Sequence, residues 1–93
     1  MEKSITRSTK EKPVEKSFGQ VLRQLREEHG LSQEELGLES GYHRTYISLL
    51  ERGQKNPSLQ TIFQLAKALN VEPSEIVERV QTIIDTRSKR IPK

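Results

Sequence analysis

The sequence predicts an all-α domain of five helices whose last helix is extended. Three observations carry that expectation. Apolar residues recur at i, i+3, i+4 and i+7 in successive segments, and no segment reads as a strand. Residues that start and stop helices bracket those segments in the right order. The 93 residues are 31% hydrophobic and only 4% aromatic, which permits one compact, mostly aliphatic core.

Phe18, Val21, Leu22 and Leu25 form the core-facing stripe of a first helix that starts behind a Ser17 cap, and Gly30 closes it in a left-handed conformation. The run LSQEEL opens the second helix. Ser32 and Glu35 make an S-x-x-E capping box there, while Leu31 and Leu36 occupy the two positions of a hydrophobic staple. That helix is short, because Gly41 supplies a residue able to take positive φ a few positions after Leu36. A third helix runs from about Arg44 to Arg52 and stops at Gly53, and GQKNP is a loop by composition. Ser58 caps a fourth helix with Leu59, Ile62, Leu65, Ala66 and Leu69 on one side, and Asn70 ends it. Pro73 opens the fifth helix where a missing N–H costs nothing, and Ile76, Val77, Val80, Ile83 and Ile84 continue an apolar stripe until TRSKRIPK. No repeat of solenoid length is present.

Composition narrows the function classes. Without cysteine there is no disulfide, thiolate nucleophile or Cys-based metal cage. The charged segment MEKSITRSTKEKPVEKS lacks the apolar run of a signal peptide, and no 18 apolar residues stand together, so a cytoplasmic protein is expected. The net charge of +3 is unevenly spread. Basic stretches at 1–17 and 87–93 flank a mildly acidic body, so residues 1–16 and 87–93 are expected to be basic tails around a domain at 17–86, the first of them disordered. Such tails either keep the protein soluble or help hold a polyanion. His29 and His43 lie in different segments without a partner at metal or triad spacing, and no glycine-rich phosphate loop exists. No enzyme, cofactor, metal or small-molecule ligand is expected.

The segment SGYHRTYISLLERG carries the functional signal. At about 100° per residue, Arg44, Thr45, Ser48, Leu49 and Arg52 share one side of the third helix, opposite Tyr46, Ile47 and Leu50. The only acid, Glu51, sits at the flank of the core side, so the exposed face is left cationic and polar. Two short helices joined by a glycine turn, the second offering Arg, Thr and Ser near its start, describe a helix-turn-helix at 32–52 with a recognition helix.

Leu36, Gly37, Gly41, Tyr42, Ile47 and Leu50 stand at the offsets of that motif, and the run from Leu31 to Val71 resembles the phage repressor/Cro-like, xenobiotic-response-element type of transcriptional regulators. The resemblance covers roughly residues 18–78. It implies a five-helix, lambda-repressor-like bundle that binds operator DNA, commonly as a two-fold dimer. On chemistry, Arg44 is the candidate for a bidentate contact to guanine, Thr45 and Ser48 for hydroxyl contacts to base edges or phosphate, and Leu49 for a thymine methyl or a dimer contact. Gln33 in the first turn of helix two, with His43, Tyr46, Arg52, Lys55 and Asn56, are candidates for the phosphate backbone. The family pattern places Arg26 and Glu51 across the packing of helices one and three as a structural ion pair. Two departures stand out. His43 occupies the cap position of helix three, where Ser, Thr, Asp or Asn is expected, and Gly37 replaces the customary Ala and weakens helix two.

The stripe from Ile76 to Ile84 would leave isoleucines wet in a monomer. A homodimer seam of Phe63, Ile76, Val80, Ile83 and Ile84 covers it, unless helix five folds back onto helix one. The expectation is a double-stranded-DNA-binding regulator, with a protein-interaction module such as an antitoxin or adaptor as the alternative.

Overall fold

The computed structural model describes residues 14–89, with side chains through Thr86. Among the described residues five helices follow one another: α1 (Val14–Glu28), α2 (Gln33–Ser40), α3 (Arg44–Glu51), α4 (Leu59–Leu69) and α5 (Pro73–Lys89). No strand occurs among the described residues. All five helices feed one core. Phe18, Val21, Leu22 and Leu25 of α1 meet Leu36 of α2, Ile47 and Leu50 of α3, Leu65, Ala66 and Leu69 of α4, and Ile76 and Val80 of α5. Each buried Val, Leu, Ile or Phe among them stabilises the fold by about 1.5–3 kcal/mol. α1 packs on α3 and α5, α2 on α3, and α4 on α2 and α5, so the helix-turn-helix lies between α1 and α4.

The helix ends follow local chemistry. In the capping box of α2, the Glu35 N–H donates to Ser32 Oγ at 3.0 Å and the Ser32 N–H donates to Glu35 Oε1 at 2.8 Å. Gly41, at φ 86°, closes the same helix. Ser58 Oγ accepts the Thr61 N–H at 3.0 Å at the start of α4, and Asn70 ends that helix at φ 57°.

Tertiary packing moves several boundaries and faces from where the sequence pattern puts them. α1 begins at Val14, and Ser17 is buried within it, so Ser17 is no cap. The earlier start has a packing partner: Lys16 lies beneath Gly53, so close that a Cβ on Gly53 would come within 2.6 Å of Lys16 Cγ. At the other end α5 continues through Lys89, so residues 87–89 of the expected tail are helical. The remaining tail residues, 1–13 and 90–93, lie outside the described residues.

Two members of the dimer seam expected from the α5 stripe, Ile76 and Val80, are corrected. Ile76 is fully buried and Val80 nearly so, both inside the monomer core, and Ile83 and Ile84 pack partly against it. α5 folds back onto α1, where Arg79 donates to Glu28 at 3.2 and 3.4 Å and to Glu75 at 3.1 Å. Its guanidinium is held above the ordinary arginine pKa, first by the hydrogen bond to Glu28. Leu59 and Val77, expected on core stripes, are instead 69% and 51% exposed. No described helix is long and apolar enough to cross a membrane.

Candidate nucleic-acid interface

α3 presents the face anticipated from its spacing. Arg44, Thr45 and Arg52 are exposed, Ser48 and Leu49 half-buried, and Ile47 and Leu50 lie in the core. Lys55 and Asn56 follow in the exposed loop. The charges on this face differ from those elsewhere. Off it, Arg23 pairs with Glu27 at 3.1 Å, Arg26 with Glu51 and Arg79 with Glu28 and Glu75, whereas Arg44 and Arg52 meet no carboxylate among the described residues. Unneutralised guanidinium groups beside hydroxyls, on a helix anchored by its other side, suit a polyanion with readable edges. Among the described residues no three His, Asp or Glu side chains gather to hold a metal.

The angle of α3 is set from beneath by an ionic network. Arg26 Nε donates to Glu51 Oε2 at 2.6 Å and Nη2 to Oε1 at 3.0 Å, while Nη1 donates to the Leu31 carbonyl at 2.9 Å. Only 11% of the Arg26 side chain and 4% of the Glu51 side chain are exposed. The hydrogen bond to Glu51 holds the Arg26 guanidinium above the usual arginine range, against the opposing effect of burial. Gln33 joins this network: its Nε2 donates to Glu51 Oε1 at 3.0 Å. Its amide is therefore turned inward to the carboxylate rather than outward toward a phosphate.

The turn between α2 and α3 is tighter than the sequence suggests. A Cβ on Gly37 would stand 2.5 Å from the Tyr42 carbonyl oxygen, so glycine here permits a close backbone approach and is more than a weakened helix position. Nor is a cap missing from α3. His43 Nδ1 accepts the Thr45 N–H at 3.1 Å, which leaves Nε2 to carry the proton of the neutral ring. Tyr46 packs at the edge of the core with its ring 5.0 Å from that of Tyr42, and its hydroxyl lies 3.5 Å from Thr61 Oγ1.

Two features escaped the sequence reading. The first is the polar grip of α4 on the turn through Thr61 and Gln64, hinted at only by the two half-buried tyrosines, whose hydroxyls need partners. The second is an apolar groove of about 640 Å³ between α4 and α5, lined by Leu59, Ile62, Phe63, Pro73 and Val77. Phe63 was expected at a subunit contact and is 55% exposed here. The i, i+4 spacing of Leu59 and Phe63 was the available signal.

A buried scaffold that holds a cationic helix across a glycine turn defines a helix-turn-helix domain. The family described as helix-turn-helix matches residues 22–76, and the chain belongs to this family of DNA-binding transcriptional regulators. The chain is 47% identical over 62 residues to the control protein C.BamHI of Bacillus amyloliquefaciens, across 66% of this chain and 76% of that protein. The crystal structure of the restriction-modification controller protein C.AhdI from Aeromonas hydrophila matches with a TM-score of 0.65 and 52% identity, over 67% of this chain and 94% of that one. The controller protein C.Esp1396I, solved as a tetramer with its natural 35 base-pair operator, matches at a TM-score of 0.72 and 30% identity, over 80% of this chain and 97% of that one.

Proposed function

We propose that this regulator binds a two-fold operator as a dimer and reads each half-site by placing α3 in the major groove. The observation that carries the reading is that Arg44 on α3 and Arg52 just after it meet no carboxylate among the described residues, whereas Arg23, Arg26 and Arg79 each do. Arg44 makes the bidentate guanine contact, Thr45 and Ser48 offer hydroxyls to neighbouring base edges, and Leu49 meets a thymine methyl. Arg52, Lys55 and Asn56 clamp phosphates, and His43 adds its Nε2–H as a donor. Tyr46 serves from the rim, and Gln33 contributes its main-chain N–H at the start of α2 while its amide braces Glu51. The function is binding, with no chemistry performed on the DNA. The groove around Leu59, Phe63 and Val77 is the subunit contact, in place of the buried Ile76 and Val80. Its relatives among control proteins support a role in regulating a restriction-modification system.

The test is selection of bound sequences from a random duplex pool, followed by anisotropy titrations of the selected duplex. Arg44→Ala is expected to weaken that duplex by about 1–3 kcal/mol, roughly five- to 150-fold, and to change binding of mixed-sequence duplex far less. A protein that enriches no sequence at low ionic strength ends this reading.

A further inference from the structure

Gln64 lies on α4, outside the face of α3 that is proposed to meet DNA, yet its side-chain amide is hydrogen-bonded at both ends. Nε2 donates to the carbonyl of Ser40, the last residue of α2, at 3.1 Å. Oε1 lies 3.3 Å from the Tyr42 hydroxyl and accepts Gln60 Nε2 at 3.2 Å. The end that meets the Ser40 carbonyl must be the N–H end, so that contact fixes the orientation of the amide. The Tyr42 hydroxyl also stands 3.1 Å from Thr61 Oγ1, which accepts Ser58 Oγ at 3.0 Å. α4 thus holds the residue on each side of Gly41, whose φ of 86° makes the turn, and Gln64 Nε2 lies within 3.8 Å of where a Cβ on Gly41 would be.

We propose that Gln64 is a positioning residue for DNA reading. By clamping the Ser40 carbonyl and the Tyr42 hydroxyl to α4, it sets the direction from which α3 leaves the turn, and hence where Arg44, Thr45 and Ser48 project. The neighbouring face of the same helix carries Leu59 and Phe63, so the clamp also ties each recognition helix to the subunit contact and sets the separation of the two helices on the duplex. This inference rests on the DNA-reading role proposed above. Its mark is a loss of discrimination, because phosphate contacts tolerate a small rotation of α3 and a bidentate base contact does not.

The experiment compares full-length wild type with Gln64→Leu, Gln64→Glu and Tyr42→Phe on the pool-selected duplex and on mixed-sequence duplex. Thermal unfolding and sedimentation identify folded, dimeric samples. Gln64→Leu removes the amide at similar size, and Gln64→Glu sets a carboxylate against the Ser40 carbonyl. Both are expected to weaken the selected duplex about tenfold and the mixed duplex less than about twofold. Tyr42→Phe keeps the ring packing and is expected to lose about threefold on the selected duplex alone. An unchanged ratio of the two affinities in the folded Gln64 variants overturns the inference. Should neither fold, an unchanged ratio for Tyr42→Phe overturns it. Wild type that selects no duplex sinks the DNA-reading role itself, a different outcome from wild type that selects one and variants that keep it.

Discussion

Glu51 accepts two hydrogen bonds from Arg26 and one from Gln33 inside the contact between α1 and α3. Removing the acid alone leaves a guanidinium with little access to water. Glu51→Ala is therefore expected to cost about 3–5 kcal/mol of stability, read from urea unfolding, whereas replacing both partners with well-packed apolar residues is expected to be near neutral. A loss below about 1 kcal/mol would show that water reaches the site. Arg26 has a raised folded-state pKa, so its contribution is complete below the ordinary arginine value and fades only in strong alkali; it is constant through the neutral range. Arg44 carries the same charge with no carboxylate partner among the described residues, and that difference in surroundings supports the recognition role proposed for it. The family pattern made the Arg26–Glu51 pair legible in the sequence. The third bond to Glu51 was not legible, because the amide of Gln33 suits a phosphate and a carboxylate equally well.

At the scale of the helices, α2 and α3 are each eight residues long and draw their stability from ends and contacts more than from propensity. Gly37 separates the two. Alanine gains about 1 kcal/mol of helix propensity over glycine, but its methyl would meet the Tyr42 carbonyl at 2.5 Å and force backbone apart. Overpacking of this kind costs about 1–3 kcal/mol. Gly37→Ala is thus expected to lower the thermal midpoint by a few degrees, followed by circular dichroism, and a raised midpoint would mean that the turn yields cheaply. Start signals such as the Ser32 and Glu35 box were readable because they are local. The His43 cap was missed because an imidazole acceptor depends on a ring orientation that the residue type does not specify.

For the molecule as a whole, the apolar residues of α4 and α5 divide between core and surface. Ile76 is fully buried and belongs to the monomer core, while Phe63 is more than half exposed beside Leu59 and Val77. Ile76→Ala is expected to cost about 2–5 kcal/mol of folding stability. Phe63→Glu is expected to change the stability of the folded monomer by about 0.5 kcal/mol or less while abolishing association in sedimentation velocity. A wild type that stays monomeric removes the proposed subunit contact, and a Phe63→Glu protein that still dimerises places it elsewhere. If the proposed dimer sets two such faces on one duplex, its affinity is expected to fall steeply with salt, read from anisotropy titrations at rising ionic strength.

The sequence by itself determined the number and order of the helices, the starts of α2, α4 and α5, the glycine turn and the polar face of α3. All of these rest on interactions between residues a few positions apart, which spacing records directly. Tertiary structure alone decided which side of α5 is core, that α1 begins at Val14 over Gly53, that Gln33 turns inward to Glu51, and that Gln64 holds the turn. Each of those depends on what a distant segment places opposite a side chain, and a periodicity of 3.6 residues shows that a face is apolar without showing what covers it.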